Sequence, residues 1–137
     1  MDISIVIVNW NGLGVLRDCL GSIYGMAHQT RFEVIVVDND SSDESVAMVR
    51  REFPQVSLVC NPRNLGFAAG NNRGFAVAQG RHVLLLNSDT LLLPGALDAS
   101  VQYLDAHPDV GVLGCRVEFP DRTFQTSCYR FSDPLVL

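Results

Sequence analysis

The sequence predicts an α/β fold, a doubly wound and mostly parallel sheet with helices on both faces. Short aliphatic or β-branched runs recur along the chain, and segments with helical periodicity separate them. Strands alternating with helices imply βαβ units and parallel pairing. The runs are apolar throughout instead of alternating, so both faces of the sheet are expected to be covered.

The elements follow in order. Ile3 to Val8 is the first strand, and Leu16, Cys19, Leu20 and Ile23 then recur at the spacing that places them on one helical stripe. Phe32 to Val37 is the second strand. Ser41-Ser42-Asp43-Glu44 offers a capping box to a second helix carrying Val46, Met48 and Val49, which Pro54 stops. Val56 to Cys60 is the third strand. In the third helix Gly66, Gly70 and Gly74 lie four residues apart and share a face. Each helical glycine costs about 1 kcal/mol relative to alanine, so something must approach that face closely, either the sheet or a bound nucleotide at the opening turn. His82 to Asn87 is the fourth strand, and Leu97, Val101 and Leu104 form the stripe of a fourth helix that ends before Pro108. Val110 to Gly114 reads as a fifth strand. Arg116 to Phe119 offers a further short strand before a turn at Pro120-Asp121-Arg122-Thr123, and the chain ends on apolar Pro134-Leu135-Val136-Leu137.

The 137 residues suit a single domain. An apolar fraction of 47% with 18% charged residues excludes intrinsic disorder. A net charge of −5 argues against nucleic acid as a partner, since binding phosphate backbones needs clustered cations. All ten basic residues are arginine, which excludes P-loop and Schiff-base chemistry through lysine. Cys19, Cys60, Cys115 and Cys128 lack Cys-x-x-Cys spacing and read as buried free thiols, suited to a reducing cytoplasm. The first apolar run is too short for a signal peptide, and none approaches the roughly 18 residues of a membrane span. The expected location is therefore cytoplasmic.

In an open parallel sheet, ligands bind outside the carboxyl ends of the strands. Four successive strand exits carry Asn or Asp: Asn9-Trp10-Asn11-Gly12, Asp38-Asn39-Asp40-Ser41, Asn61-Pro62-Arg63-Asn64-Leu65-Gly66 and Asn87-Ser88-Asp89-Thr90. Any one cluster is explained by turns and caps, where these residues are common; the four together point to a ligand site. Trp10 offers a face for a base to stack on, or a cap for the core. Asp38 suits the ring N–H of a base or a ribose hydroxyl, and Asp89 is a hard oxygen ligand for Mg²⁺ or Mn²⁺ bridging a diphosphate. Arg17 stands where a dinucleotide fingerprint needs its third glycine, and no Gly-x-Ser-x-Gly elbow is present.

Ser4 to Asn11, Val36 to Ser45, Asn64 to Gly74 and Leu84 to Thr90, in this order and at these spacings, resemble glycosyltransferase family 2 of the GT-A fold. The resemblance implies a Rossmann-like nucleotide-sugar-binding half in an inverting enzyme. Asp121 to Ser127 is similar to the rhamnosyltransferase-like branch, which uses dTDP-rhamnose. Carried over by position, Trp10 and Asn11 lie beside the base, Asp38 accepts from it, and Asp40 sits near the ribose or loop backbone. Gly66 and Phe67 line the pocket, and Asn9, Asn71 and Asn87 complete the nucleotide-binding set. Asn87-Ser88-Asp89 falls on the family's Asp-x-Asp motif, so Asp89 is the metal ligand and Asn87 replaces one carboxylate. The implied partners are a UDP- or dTDP-linked sugar and a saccharide or lipid-linked acceptor, the latter bringing the chain to the inner face of a membrane as a peripheral protein. No residue matches the family's general base, which is expected beyond Leu137; the chain then reads as a truncated, inactive donor-binding half. The alternatives are a sugar nucleotidyltransferase, which needs a cationic loop after the first strand, and a non-catalytic nucleotide-binding module.

Overall fold

A computed structural model describes residues 1–126. Four parallel strands form the main sheet: β1 (Ile3–Asn9), β2 (Phe32–Asp38), β3 (Ser57–Cys60) and β4 (His82–Leu85), in the order β3-β2-β1-β4. They alternate with α1 (Leu13–Tyr24), α2 (Ser45–Glu52), α3 (Phe67–Phe75) and α4 (Ala96–Ala106). The strand order reverses between β1 and β4, which is the switch point where an open α/β sheet forms a crevice at its carboxyl edge.

Both faces of the sheet centre are covered. Ile3, Ile5, Ile7, Val34 and Val36 pack with the stripe of α1 (Leu16, Cys19, Leu20 and Ile23), with Met48 and Val49 of α2, and with Leu97 and Val101 of α4. The alternate residues Val6, Ile35 and Val37 form a smaller core on the opposite face, where α3 lies. The glycines of α3 permit this close approach: a Cβ on Gly74 would stand 2.4 Å from Val6 Cγ1, and one on Gly70 would stand 2.9 Å from Val8 Cγ1. Gly66 has open space around its Cα and is needed for another reason, since its φ of +80° and ψ of 173° belong to a region that only glycine enters readily.

Four expectations need correction. The capping box before α2 does not form, because Glu44 occupies the N-cap position without a side-chain bond. Asp43 caps instead: its Oδ1 accepts from Ser45 N at 3.0 Å, while its Oδ2 accepts from Leu13 N of α1 at 3.0 Å. Val110 to Gly114 is not a strand. A strand needs a ladder partner, and this run pairs with none among the described residues; the chain next forms a hairpin of β5 (Val117–Glu118) and β6 (Phe124–Gln125) around a turn at Arg122, whose φ is 69°. The sheet is not buried on both faces throughout, for every residue of the edge strands β3 and β4 is at least partly exposed. Of the described cysteines only Cys19 is buried; Cys60 and Cys115 are exposed, and all three are free thiols. Cys128 and the terminal Pro134 to Leu137 lie outside the described residues. No described helix is long and apolar enough to cross a membrane.

Candidate functional site at the carboxyl edge

The β1 and β2 registers align Asn9 with Asp38, and the parallel ladder runs one step further through Asn39 N to Asn9 O (2.8 Å) and Asn61 N to Asp38 O (2.8 Å). Three strand exits are thereby held in one plane. Two residues just past them take the left-handed conformation, Asn11 at φ 52° and Asp40 at φ 64°. Asn and Asp tolerate this better than other side-chain-bearing residues, and such geometry concentrates at functional edges.

Asp38 is 3% exposed and its carboxylate is largely committed. Its Oδ1 accepts from Asn9 Nδ2 (3.1 Å) and Ser41 Oγ (2.6 Å), and its Oδ2 accepts from Ser41 N (2.9 Å). A carboxylate offers about four lone-pair directions, so one on Oδ2 is left for a further donor. Asn9 is fully buried and supports Asp38 from beneath; its Oδ1 has no partner and lies 2.6 Å from where a Cβ on Gly12 would stand. Asn11 ties the first exit to the second: its backbone N donates to Ser41 Oγ (2.9 Å), and its Oδ1 accepts from Ser42 N (2.8 Å). Hydrogen bonds to the charged form hold the Asp43 carboxyl below the usual range: burial pushes it up, and donation from Ser45 and Leu13 outweighs that.

Against this rigid floor, Trp10 and Phe67 stand out at 60% and 59% exposure. The structure thus leaves their rings free and does not use Trp10 as a cap on the core. Asn71 is turned inward, 5% exposed, with its Nδ2 donating to Phe67 O within α3 at 2.9 Å. Gly66 and Asp40 are exposed.

On the other side of the switch point, Asn87 to Thr90 closes a turn in which Asn87 O accepts from Thr90 N (3.2 Å), Thr90 Oγ1 (2.7 Å) and the Cys19 thiol (3.7 Å). Burial pushes that thiol up to about 11, helped by the neighbouring Asp89 and opposed by Thr90, so it stays protonated as a donor. The turn leaves Asn87 and Asp89 exposed, and among the described residues the Asp89 carboxylate makes no hydrogen bond or ion pair. No cluster of three His, Cys, Asp or Glu exists among the described residues to hold a cation unaided. A single uncommitted carboxylate does fit Mg²⁺ or Mn²⁺ when the cation arrives with phosphate oxygens.

Sequence reasoning passed over Asn39, Ser41, Asp43 and Asn61 as site builders. All four lie in the Asp/Asn/Ser clusters it singled out, but which of these residues bond across elements is not encoded in their spacing. A cavity of about 1130 Å³ lies along the flank of β4, lined by Leu85, Leu91 and Leu93 together with Asp89 and Thr90. It is apolar and adjoins the polar edge without containing Asp38 or Trp10.

Residues 4–131 match the family model described as glycosyl transferase family 2. An uncharacterised glycosyltransferase of Methanocaldococcus jannaschii is 24% identical over 96% of this chain and 49% of its own length. The succinoglycan biosynthesis protein ExoO of Rhizobium meliloti is 30% identical over 77% of this chain and 30% of its own. Among solved structures, a mannosyltransferase of Pyrobaculum calidifontis in complex with GDP-Man and Mn²⁺ superposes with a TM-score of 0.77, at 28% identity, over 87% of this chain and 36% of that one. TarS of S. aureus in complex with UDP-GlcNAc gives a TM-score of 0.69 at 25% identity, over 79% of this chain and 32% of that one. The chain spans about half the length of the first of these relatives and less of the others. With the family model covering nearly the whole sequence and the same sheet recurring in these neighbours, the chain belongs to glycosyltransferase family 2.

Proposed function

We propose that this chain is the donor-binding portion of an inverting, metal-assisted glycosyltransferase that takes a nucleoside-diphosphate sugar and serves a saccharide or lipid-linked acceptor. One observation carries the reading: the strand reversal between β1 and β4 gathers the exposed Trp10, the buried Asp38 with one lone pair to spare, and the uncommitted Asp89 at one sheet edge. Trp10 and Phe67 flank the base, Asp38 Oδ2 accepts its ring N–H, and Asp40 and Asn11 border the ribose. Asn9 and Asn71 act from below, by holding Asp38 and the first turn of α3. Asp89, with Asn87 beside it, would hold Mg²⁺ or Mn²⁺, and such a cation would supply Lewis-acid stabilisation to the departing diphosphate. The acceptor oxygen displaces that diphosphate at the anomeric carbon. Proton removal from the acceptor falls to a carboxylate outside residues 1–137, worth about 10² to 10⁴ in rate. The neighbours that hold GDP-Man with Mn²⁺ and UDP-GlcNAc support this ligand class.

The test is calorimetry with UDP, dTDP and GDP, each with and without Mn²⁺, followed by an assay with the corresponding nucleotide sugars. At least one nucleotide should bind in the presence of Mn²⁺, and these residues alone should transfer no sugar. Failure of all three to bind sinks the donor-site reading; turnover at the rate of an intact transferase sinks the placement of the base.

A further inference from the structure

The residue between Asp38 and Asp40 has no assigned task, yet it is among the most tightly held polar groups in the chain. Asn39 is 2% exposed, and both ends of its carboxamide are used across elements. Its Oδ1 accepts from Asn61 Nδ2 at 2.8 Å, just past β3. Its Nδ2 donates to Gly66 O at 3.1 Å, at the N-cap of α3. Gly66 O also accepts from Gly70 N at 3.0 Å, the first helical bond of α3. Asn39 thus grips the carbonyl on which that helix opens. No side chain caps the first turn, and Gly66 holds a backbone conformation that does not persist without surrounding constraint. Asn61 in turn leaves its own Oδ1 buried and unpaired, a cost that points to a task beyond packing.

We propose that Asn39 is a positioning residue of the nucleotide site: by clamping Gly66 O it sets where α3 opens and hence where Phe67 stands relative to the Asp38 loop. The inference rests on the donor-site reading above and deepens it. Alternation sends Asp38 towards the α1 and α2 side and Asn39 towards α3, so consecutive residues of one strand exit fix the two walls between which a base would lie. Through these two bonds Asn39 joins the β2 exit, the β3 exit and α3.

Asn39→Asp tests this with almost no change of shape. The acceptor for Asn61 is kept, while the donor towards Gly66 O becomes an ionised oxygen facing a carbonyl. Hydrogen exchange at neutral pH should show faster exchange of the Gly70 amide and its neighbours in the first turn of α3, with the β1 and β2 amides unaffected. UDP, dTDP and GDP titrations with Mn²⁺, followed through the single Trp10, should show affinity weakened by about tenfold, the equivalent of one net hydrogen bond. Lowering the pH towards 5 should restore protection at Gly70 in the variant, because the protonated carboxyl can donate to Gly66 O as the amide did; the wild type should show no such recovery. Unchanged α3 exchange, loosened α3 with wild-type affinity, or a uniform loss of protection across the sheet would each overturn the proposal. If the wild type binds no nucleotide, the donor-site reading fails by itself, and the exchange and its acid recovery still decide whether Asn39 holds α3.

Discussion

Asp38 and Asp89 differ in how much of their bonding capacity the protein itself consumes. Among the described residues Asp38 accepts three internal hydrogen bonds and Asp89 accepts none, so their substitution should separate stability from binding. Asp38→Ala leaves the Ser41 backbone N–H and hydroxyl without their acceptor and reduces Asn9 Nδ2 to its bond with Ser41 Oγ, which costs about 1 to 3 kcal/mol per unsatisfied group, and should lower both the denaturation midpoint and nucleotide affinity. Asp89→Asn should leave stability within about 0.5 kcal/mol, as for a surface position, and abolish the Mn²⁺ dependence of nucleotide binding. Asn87→Asp should give Mn²⁺ binding without nucleotide, measured by calorimetry. Tight Mn²⁺ binding by the unliganded wild type would place the metal elsewhere. That Asp38 and Asp89 stand at strand exits was legible from spacing. That one is saturated and the other free was not, since the partners of Asp38 include Asn9, distant in sequence and adjacent only through the β1–β2 register.

At the scale of elements, α1 was fully legible because its buried stripe is a local periodicity, whereas α2 was misread at its start because the capping residue works across two helices. Asp43 serves the first turn of both α1 and α2, and its carboxyl is held below the usual range by those bonds against the opposing pull of burial. A lowered folded pKa means its contribution is complete above the ordinary aspartate value of about 3.9 and is lost as pH falls through the lower folded value. Asp43→Ala should therefore destabilise at pH 7 by about 1 kcal/mol for each cap removed and show a shallower loss of stability below pH 4 than the wild type, measured by urea denaturation across pH. For α3 the glycine spacing told that something comes close, and the structure makes it Val6 and Val8 of β1. Gly74→Ala gains about 1 kcal/mol of helix propensity but forces a methyl into buried Val6, an overpacking cost of about 1 to 3 kcal/mol, so net destabilisation is expected. Adding Val6→Ala should relieve part of it; a Gly74→Ala variant more stable than wild type would show that α3 can simply lift away.

For the molecule as a whole, the parallel topology was legible because buried strands of β1 and β2 read as continuous apolar runs, while the limits of the sheet were not. An apolar run such as Val110 to Gly114 looks the same whether or not a partner strand awaits it, and Val112 in fact stands 90% exposed. The described molecule consequently carries two unlike surfaces, the polar carboxyl edge and the apolar flank of β4 with exposed Val83, Leu85 and Leu91. A hydrophobic dye should brighten on the folded chain through that flank, with Leu85→Gln reducing the signal and leaving nucleotide affinity unchanged. Loss of both together would mean that the two surfaces are one site.

The same strand order also governs the birth of the protein. β1 is made before both of its sheet neighbours and lies between them, β2 on one side and β4 on the other. Its outer neighbour is complete only when Leu85 has been added, 47 residues after β2 ends at Asp38, and at ~5–20 residues per second that delay is roughly 2 to 9 seconds for a nascent chain. During that interval β1 can pair with β2 alone, and its remaining edge is open to any other strand on the same or a neighbouring ribosome. The pace of translation between Asp38 and Leu85 therefore sets how long the middle of the sheet stays half-built, and how long a chaperone would need to shield it.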